Sequence, residues 1–147
     1  MDLGSGQGKG VLAAALVHDF DEVVGVEHLE GLYLKSLELK DLYYEIYPQH
    51  IQEQKTGSYT IPEMKFIHGD LTQYDWSNAD LVLANSTCFD RELMQKILEK
   101  AEKMKPGSFI VTFTKSLPYN ETFELVSSEK KVMSWAKATV NVYRKSS

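Results

Sequence analysis

Four short apolar runs, spaced by stretches of helical character, constrain this chain more than any other feature. Val23–Val26, Met64–His68, Asp80–Ala84 and Ser108–Thr114 have the length and the β-branched or alternating make-up of strands. Between the first two, Leu29 to about Gln54 carries Leu29, Leu32, Ser36, Leu39, Tyr43 and Ile46 near helical spacing. That predicts a long amphipathic helix, which Pro48 kinks or ends. Residues 52–63 read as a loop. Upstream, GVLAAALVHDF is rich in Ala and Leu and reads as a short helix. Downstream, Asp90 suits an N-cap for a helix through Met104, with Leu93, Met94, Ile97, Leu98 and Ala101 toward a core and Pro106-Gly107 as its stop. Thr122 to Lys145 reads as two strands joined near Ser134-Trp135-Ala136.

Strands alternating with helices imply an α/β fold with a mostly parallel, doubly wound, Rossmann-like sheet. The closing hairpin places antiparallel strands at one edge. Ligands of such sheets lie beyond the carboxyl ends of the strands. The loops that matter therefore begin at Gly4, Glu27, Gly69, Asn85 and Lys115.

A chain of 147 residues can bury one core, and residues 1–147 read as one domain. No apolar run approaches the roughly 18 residues of a membrane helix, and no signal-peptide pattern is evident. The single cysteine, Cys88, cannot form an internal disulfide and suits a reducing compartment, nucleus or cytoplasm. It reads as a small buried residue. The net charge of −5 divides unevenly: residues 1–90 carry −10 and residues 91–147 carry +5. The basic residues form pairs such as Lys130-Lys131 rather than a dense cluster, so no direct nucleic-acid site is evident. His18, His28, His50 and His68 lack metal-ligand spacing, and no metal site is expected.

The opening residues, MDLGSGQGKG, place a glycine-rich bend at a strand end. A P-loop fails, because position 3 is Leu and position 10 is Gly. A G-x-G-x-x-G dinucleotide fingerprint fails as well, because position 9 is Lys. The pattern is D-x-G-x-G-x-G, with an acid at the strand end. Dinucleotides carry a pyrophosphate that favours bare amides at a helix N-terminus. S-adenosylmethionine has no phosphate and carries a cationic sulfonium and an amino-acid end, so a carboxylate such as Asp2 is tolerated beside it. Glu27, 19 residues after Gly8, suits acceptance from two ribose hydroxyls. Asp70 can accept from an adenine amino group, with Leu71 flanking the ring. Singly, the bend suits a structural turn, Glu27 a surface acid and Asp70 a turn former. Placed on three successive strand ends, they point to a cofactor.

This constellation resembles the class I, seven-stranded S-adenosylmethionine-dependent methyltransferases. Two further segments narrow the resemblance. DLVLANSTCFDRELMQKILEKAEKMKPGSFIVTFTKSLP and KVMSWAKATVNVY are similar to the disruptor-of-telomeric-silencing (Dot-one) histone-lysine methyltransferases. The first carries an Asn with an aromatic four residues on, a helix, a turn and a strand. The second carries Ser-Trp ahead of a closing strand. The resemblance implies that Asp2, Gly4 and Gly6 contact the methionine part of the cofactor, and that Ser5, Gln7 and Asn85 also belong to its binding site. It implies Glu27 on the ribose, and Asp70 and Leu71 on the adenine. Asn85 would lie beside the methyl group and the incoming amine, with Phe89 and Trp135 walling a channel for a lysine side chain. Methyl transfer needs a neutral amine, and a dry aromatic channel disfavours the ammonium, so alignment and desolvation can replace a strong base. From the residues alone, Asn85 also suits a cap, Phe89 a hydrophobic staple and Trp135 hairpin packing.

The implied function is N-methylation of a protein lysine, on a histone or nucleosome. A non-histone protein or small-molecule acceptor, or a catalytically inactive cofactor-binding module, are the alternatives. The family carries a helical region ahead of its first strand and a tyrosine on its last. Here only Met1 and Asp2 precede the bend, so an N-terminally incomplete version of a longer enzyme, with low stability and weak activity alone, is expected. The last-strand position falls at Asn141 or Val142, with Tyr143 adjacent, and the sequence does not assign it.

Overall fold

A computed structural model describes residues 1–54, 60–134 and 136–146. The chain divides into two compact units, Met1–Leu71 and Thr72–Ser147.

The first unit runs β1 (Asp2–Leu3), α1 (Lys9–Val17), β2 (Glu22–Glu27), α2 (Glu30–Gln54) and β3 (Glu63–His68). Its strands are parallel in the order β3-β2-β1. Leu3 lies opposite Val26, and Glu27 lies opposite His68. The central strand β2 is buried from Val23 through Glu27, as expected of a parallel strand covered on both faces. Val11 and Ala15 of α1, Tyr43 of α2, Val23, Met64 and Phe66 form one buried cluster. Each such large apolar side chain contributes about 1.5–3 kcal/mol by leaving water. The Tyr44 hydroxyl accepts from the Met64 N–H at 2.7 Å and so satisfies a donor of β3.

α2 runs to Gln54, as the sequence reading has it, with Pro48 inside the helix rather than ending it; of the segment read as a loop, only residues 52–54 fall within the helix. A proline removes one N–H and strains one turn, and Tyr43 and Tyr44, one turn earlier, hold that part of the helix to β3 and the core.

The second unit runs β4 (Leu81–Ala84), a 3-10 turn (Ser86–Cys88), α3 (Arg91–Ala101), β5 (Phe109–Phe113), β6 (Phe123–Val132) and β7 (Lys137–Lys145). The order is β4-β5-β7-β6. Strands β4 and β5 are parallel, and β7 is antiparallel to both β5 and β6. The closing hairpin is therefore present as expected. It extends past β5: the last β5 pair is Phe113 with Val140, whereas β6 and β7 stay paired to Val132 and Lys137. Asp90 caps α3, its carboxylate accepting from the Leu93 N–H at 2.7 Å. Met94, Ile97, Leu98 and Ala101 are buried, so one apolar face holds the helix down. α3 ends at Ala101, before the expected Met104, although Met104 is still buried. No helix among the described residues is long and apolar enough to cross a membrane.

Candidate active site

Asp2, Glu27 and Asp70 stand at the carboxyl ends of three parallel strands of the first unit, on one edge of one sheet. The main chain binds these ends together. The Gly4 and Ser5 N–H groups both donate to the Val26 carbonyl, at 2.9 and 3.0 Å, and the Gly69 N–H donates to the Glu27 carbonyl at 3.0 Å.

The bend is left-handed at Gly4, Gly6 and Gly8, with φ of 72°, 55° and 89°. Two of these glycines serve different needs. A Cβ on Gly8 would lie 2.5 Å from Cζ of Phe66, so Gly8 lets the start of α1 close onto the core. A Cβ on Gly6 would meet no atom within 4 Å. The space above Gly6 is thus open to a ligand, while below it the Gly6 N–H donates to Oε2 of Glu27 at 2.7 Å. The Leu29 N–H donates to Oε1 of the same carboxylate at 2.8 Å. Glu27 is only 7 % exposed. Each carboxylate oxygen can accept twice, so main-chain bonds orient Glu27 and leave capacity for a pair of hydroxyls. The donor set and the open bend fit an adenosyl ligand.

Asp2 is 9 % exposed, and a methyl on Gly10 would come 2.5 Å from its Oδ2. The carboxyl therefore lies against the first turn of α1. Burial pushes its pKa up to about 6; the amino group of Met1 pulls the other way, and the Glu27 charge adds to the rise. Ser5 is buried, and its Oγ has no hydrogen-bond partner among the described residues. Gln7 and Asp70 are exposed and Leu71 is half-buried.

One feature beside this edge escapes sequence reading. His68, at the end of β3, stacks on Tyr33 of α2, with ring centroids 5.1 Å apart and planes 14° from parallel. Its Nε2–H donates to the His28 carbonyl at 3.0 Å. Nothing in the spacing of the histidines signals this contact, because its partner ring comes from a helix 35 residues upstream in sequence.

The second unit gathers its own cluster at the carboxyl ends of β4 and β5. Asn85 follows β4 and is exposed; Phe89 is half-buried. Oγ1 of Thr87 donates to Oδ1 of Asn85 at 3.2 Å and lies 3.1 Å from Oγ1 of Thr114. Oγ of Ser86, fully buried, donates to the Phe113 carbonyl at 2.7 Å. Nζ of Lys115 donates to the Phe89 carbonyl. Thr114 has φ of 68°, the one non-glycine with positive φ among the described residues. The Lys115 N–H returns to the Phe113 carbonyl at 2.8 Å, closing a γ-turn about Thr114, whose own N–H donates to the Thr139 carbonyl at 2.7 Å. A left-handed β-branched residue costs about 1–2 kcal/mol, which these bonds offset. Ser86, Thr87, Thr114 and Lys115 were not singled out from sequence as site residues.

Cys88, expected to be buried, is exposed. The 3-10 turn carrying it buries Ser86 instead, through the bond to Phe113. Trp135 lies outside the described residues. On the last strand, Asn141 is 2 % exposed, accepts from Oγ of Ser128 at 2.7 Å and donates to Oγ1 of Thr112 at 3.3 Å. The Tyr143 hydroxyl accepts from the Leu117 N–H at 3.2 Å. Both tie strands and loops together within the unit.

The fold recurs in solved structures. An RNA methyltransferase from Salinibacter ruber, in complex with S-adenosyl-L-homocysteine, matches with TM-score 0.68 at 20 % identity, over 99 % of this chain and 78 % of that one. Magnesium protoporphyrin IX methyltransferase from Synechocystis PCC 6803, with bound S-adenosylmethionine, matches with TM-score 0.68 at 12 % identity, over 99 % and 68 %. TrmN from Thermus thermophilus matches with TM-score 0.65 at 17 % identity, over 98 % and 42 %. The chain thus has the Rossmann-like fold of class I methyltransferases. Among curated protein sequences none matches. The family model described as Histone methylation protein DOT1 matches residues 1–146, and the chain belongs to that family.

Proposed function

We propose that residues 1–147 form an S-adenosylmethionine-dependent methyltransferase domain that methylates a lysine nitrogen of a protein, with a histone as the favoured acceptor. The observation that carries this reading is the Glu27 carboxylate, fixed by the Gly6 and Leu29 N–H groups beside a bend with open space above Gly6. Asp2, Gly4, Ser5, Gly6 and Gln7 would hold the methionine end of the cofactor, Glu27 its ribose, and Asp70 and Leu71 its adenine. When bound, the cofactor supplies an electrophilic methyl group on a sulfonium.

The chain's own part is to align and dry the acceptor. Asn85 offers a neutral amide, which can accept from an amine N–H without attracting the ammonium form as a carboxylate would. Phe89 and Trp135 would exclude water from the acceptor side. Family membership supports a histone as the acceptor.

Isothermal titration with S-adenosylhomocysteine tests the cofactor, and saturable one-site binding is expected. Labelled methyl transfer to nucleosomes, free histones, bulk RNA and a cell extract tests the acceptor. Methyl-lysine in a histone band supports the reading, whereas label confined to RNA or to a small molecule overturns it. Asn85→Ala should cut turnover at least about tenfold with cofactor affinity unchanged.

A further inference from the structure

We infer that Thr114 and Thr87 are positioning residues that set the orientation of the Asn85 amide, an inference that rests on the methyltransferase reading only for what Asn85 then does. Three observations converge on it. Thr114 sits at the carboxyl end of β5 with φ of 68°, where a β-branched side chain is rare. Its Oγ1 lies 3.1 Å from Oγ1 of Thr87, and Oγ1 of Thr87 donates to Oδ1 of Asn85 at 3.2 Å. The loops carrying these residues are fastened to each other by Ser86 on the Phe113 carbonyl and by Lys115 on the Phe89 carbonyl.

A hydroxyl has one proton to give. Thr87 gives its proton to Asn85, so Thr114 is the donor to Thr87, and the relay runs Thr114 to Thr87 to Asn85. The relay has a direction, and it ends on the amide oxygen. It fixes which end of the Asn85 amide faces the Thr87 hydroxyl, and it leaves the second lone pair of Oδ1 and both Nδ2 hydrogens for an incoming group. Hydrogen bonds in series polarise one another, so the terminal amide is both held and sharpened as an acceptor.

The conformation of Thr114 is what brings its hydroxyl to the relay. Glycine would adopt φ of 68° without strain, and a glycine here would satisfy the backbone equally well through the same N–H bonds to Thr139 and Phe113. A strained residue retained where an unstrained one would serve the backbone points to its side chain as the reason.

The test uses the full chain, three test variants and one variant for assignment. Thr114→Gly removes the hydroxyl and the strain together, Thr87→Val removes the middle hydroxyl at nearly constant shape, and Thr114→Ser keeps the hydroxyl. The first readout is the side-chain amide resonance of Asn85 in a 1H–15N spectrum, assigned by its loss in Asn85→Asp. The expected result is a rigid amide in the wild type and Thr114→Ser, and a mobile one in Thr114→Gly and Thr87→Val. The second readout is steady-state methyl transfer. Here kcat should fall about ten- to hundredfold in Thr114→Gly and Thr87→Val with S-adenosylhomocysteine affinity within twofold, and Thr114→Ser should restore it. An Asn85 amide equally rigid in all four proteins overturns the inference, whatever the turnover, as does wild-type kcat in Thr114→Gly. Absence of transfer by the wild type counts against the proposed function alone, because the amide spectrum decides the positioning role without it.

Discussion

Replacing Asp2 with Asn should make the protein more stable near neutral pH, and the gain should vanish in acid. Burial against α1 raises the Asp2 carboxyl from 3.8 to about 6. Between those values the native state holds a proton that the unfolded chain has released, so the unfolding free energy falls as pH rises through the window and is flat above it. A shift of roughly two pKa units corresponds to about 3 kcal/mol, absent below pH 3.8 and fully expressed above pH 6. Asn has nearly the shape of Asp and no charge. Its amide pays its own desolvation, which offsets the curve but does not change its slope. Urea unfolding of both proteins from pH 3.5 to 8 is the assay. The stability of Asp2→Asn minus that of the wild type should rise by about 3 kcal/mol across pH 3.8–6 and then level off. A difference independent of pH, or one that falls, refutes the assignment of the strained charge to Asp2. If Asp2 also faces the cationic end of the cofactor, binding lowers its pKa and expels roughly half a proton near pH 6. Titrations in two buffers of different ionisation enthalpy detect that proton.

Gly8→Ala should destabilise by about 2–4 kcal/mol, from left-handed strain and the clash with Phe66, read as a lowered urea midpoint. Glu27→Gln turns an acceptor into a donor facing a main-chain N–H; it should cost about 2 kcal/mol of stability and weaken S-adenosylhomocysteine at least tenfold by calorimetry. Asp90→Ala should lose about 1 kcal/mol by thermal unfolding with no change in ligand affinity, because it removes only the cap on the Leu93 N–H.

What could be read from the chain was what depends on near neighbours in sequence. The apolar runs at Val23–Val26 and Leu81–Ala84 announce strands because their residues suit a buried sheet: β2 is buried on both faces, and β4 buries Val82 and Ala84 with Leu81 and Leu83 half-buried. Asp90 announces its helix through a bond three residues away. Glu27 and the glycine bend were legible as a pair because their spacing is set by one β-α-β turn. The rest depended on distant partners. The extent of the helix to about Gln54 was legible, but whether Pro48 kinks or ends it was not, because that depends on what the helix packs against. The exposure of Cys88 follows from Ser86 reaching a carbonyl 27 residues on. The left-handed turn at Thr114 sits in a run that otherwise reads as strand, and no local pattern marks it. The same holds for the Tyr33–His68 stack.

Glu27 grips two separate stretches of chain at once, the bend through Gly6 and the entry to α2 through Leu29. A molecule that competes for this carboxylate therefore tugs on a 25-residue helix as well as on a small loop. Occupancy should be audible far from the point of contact, as slower amide exchange in the first turn of α2. Position 27 is in this sense a hinge pin, whose removal loosens two doors.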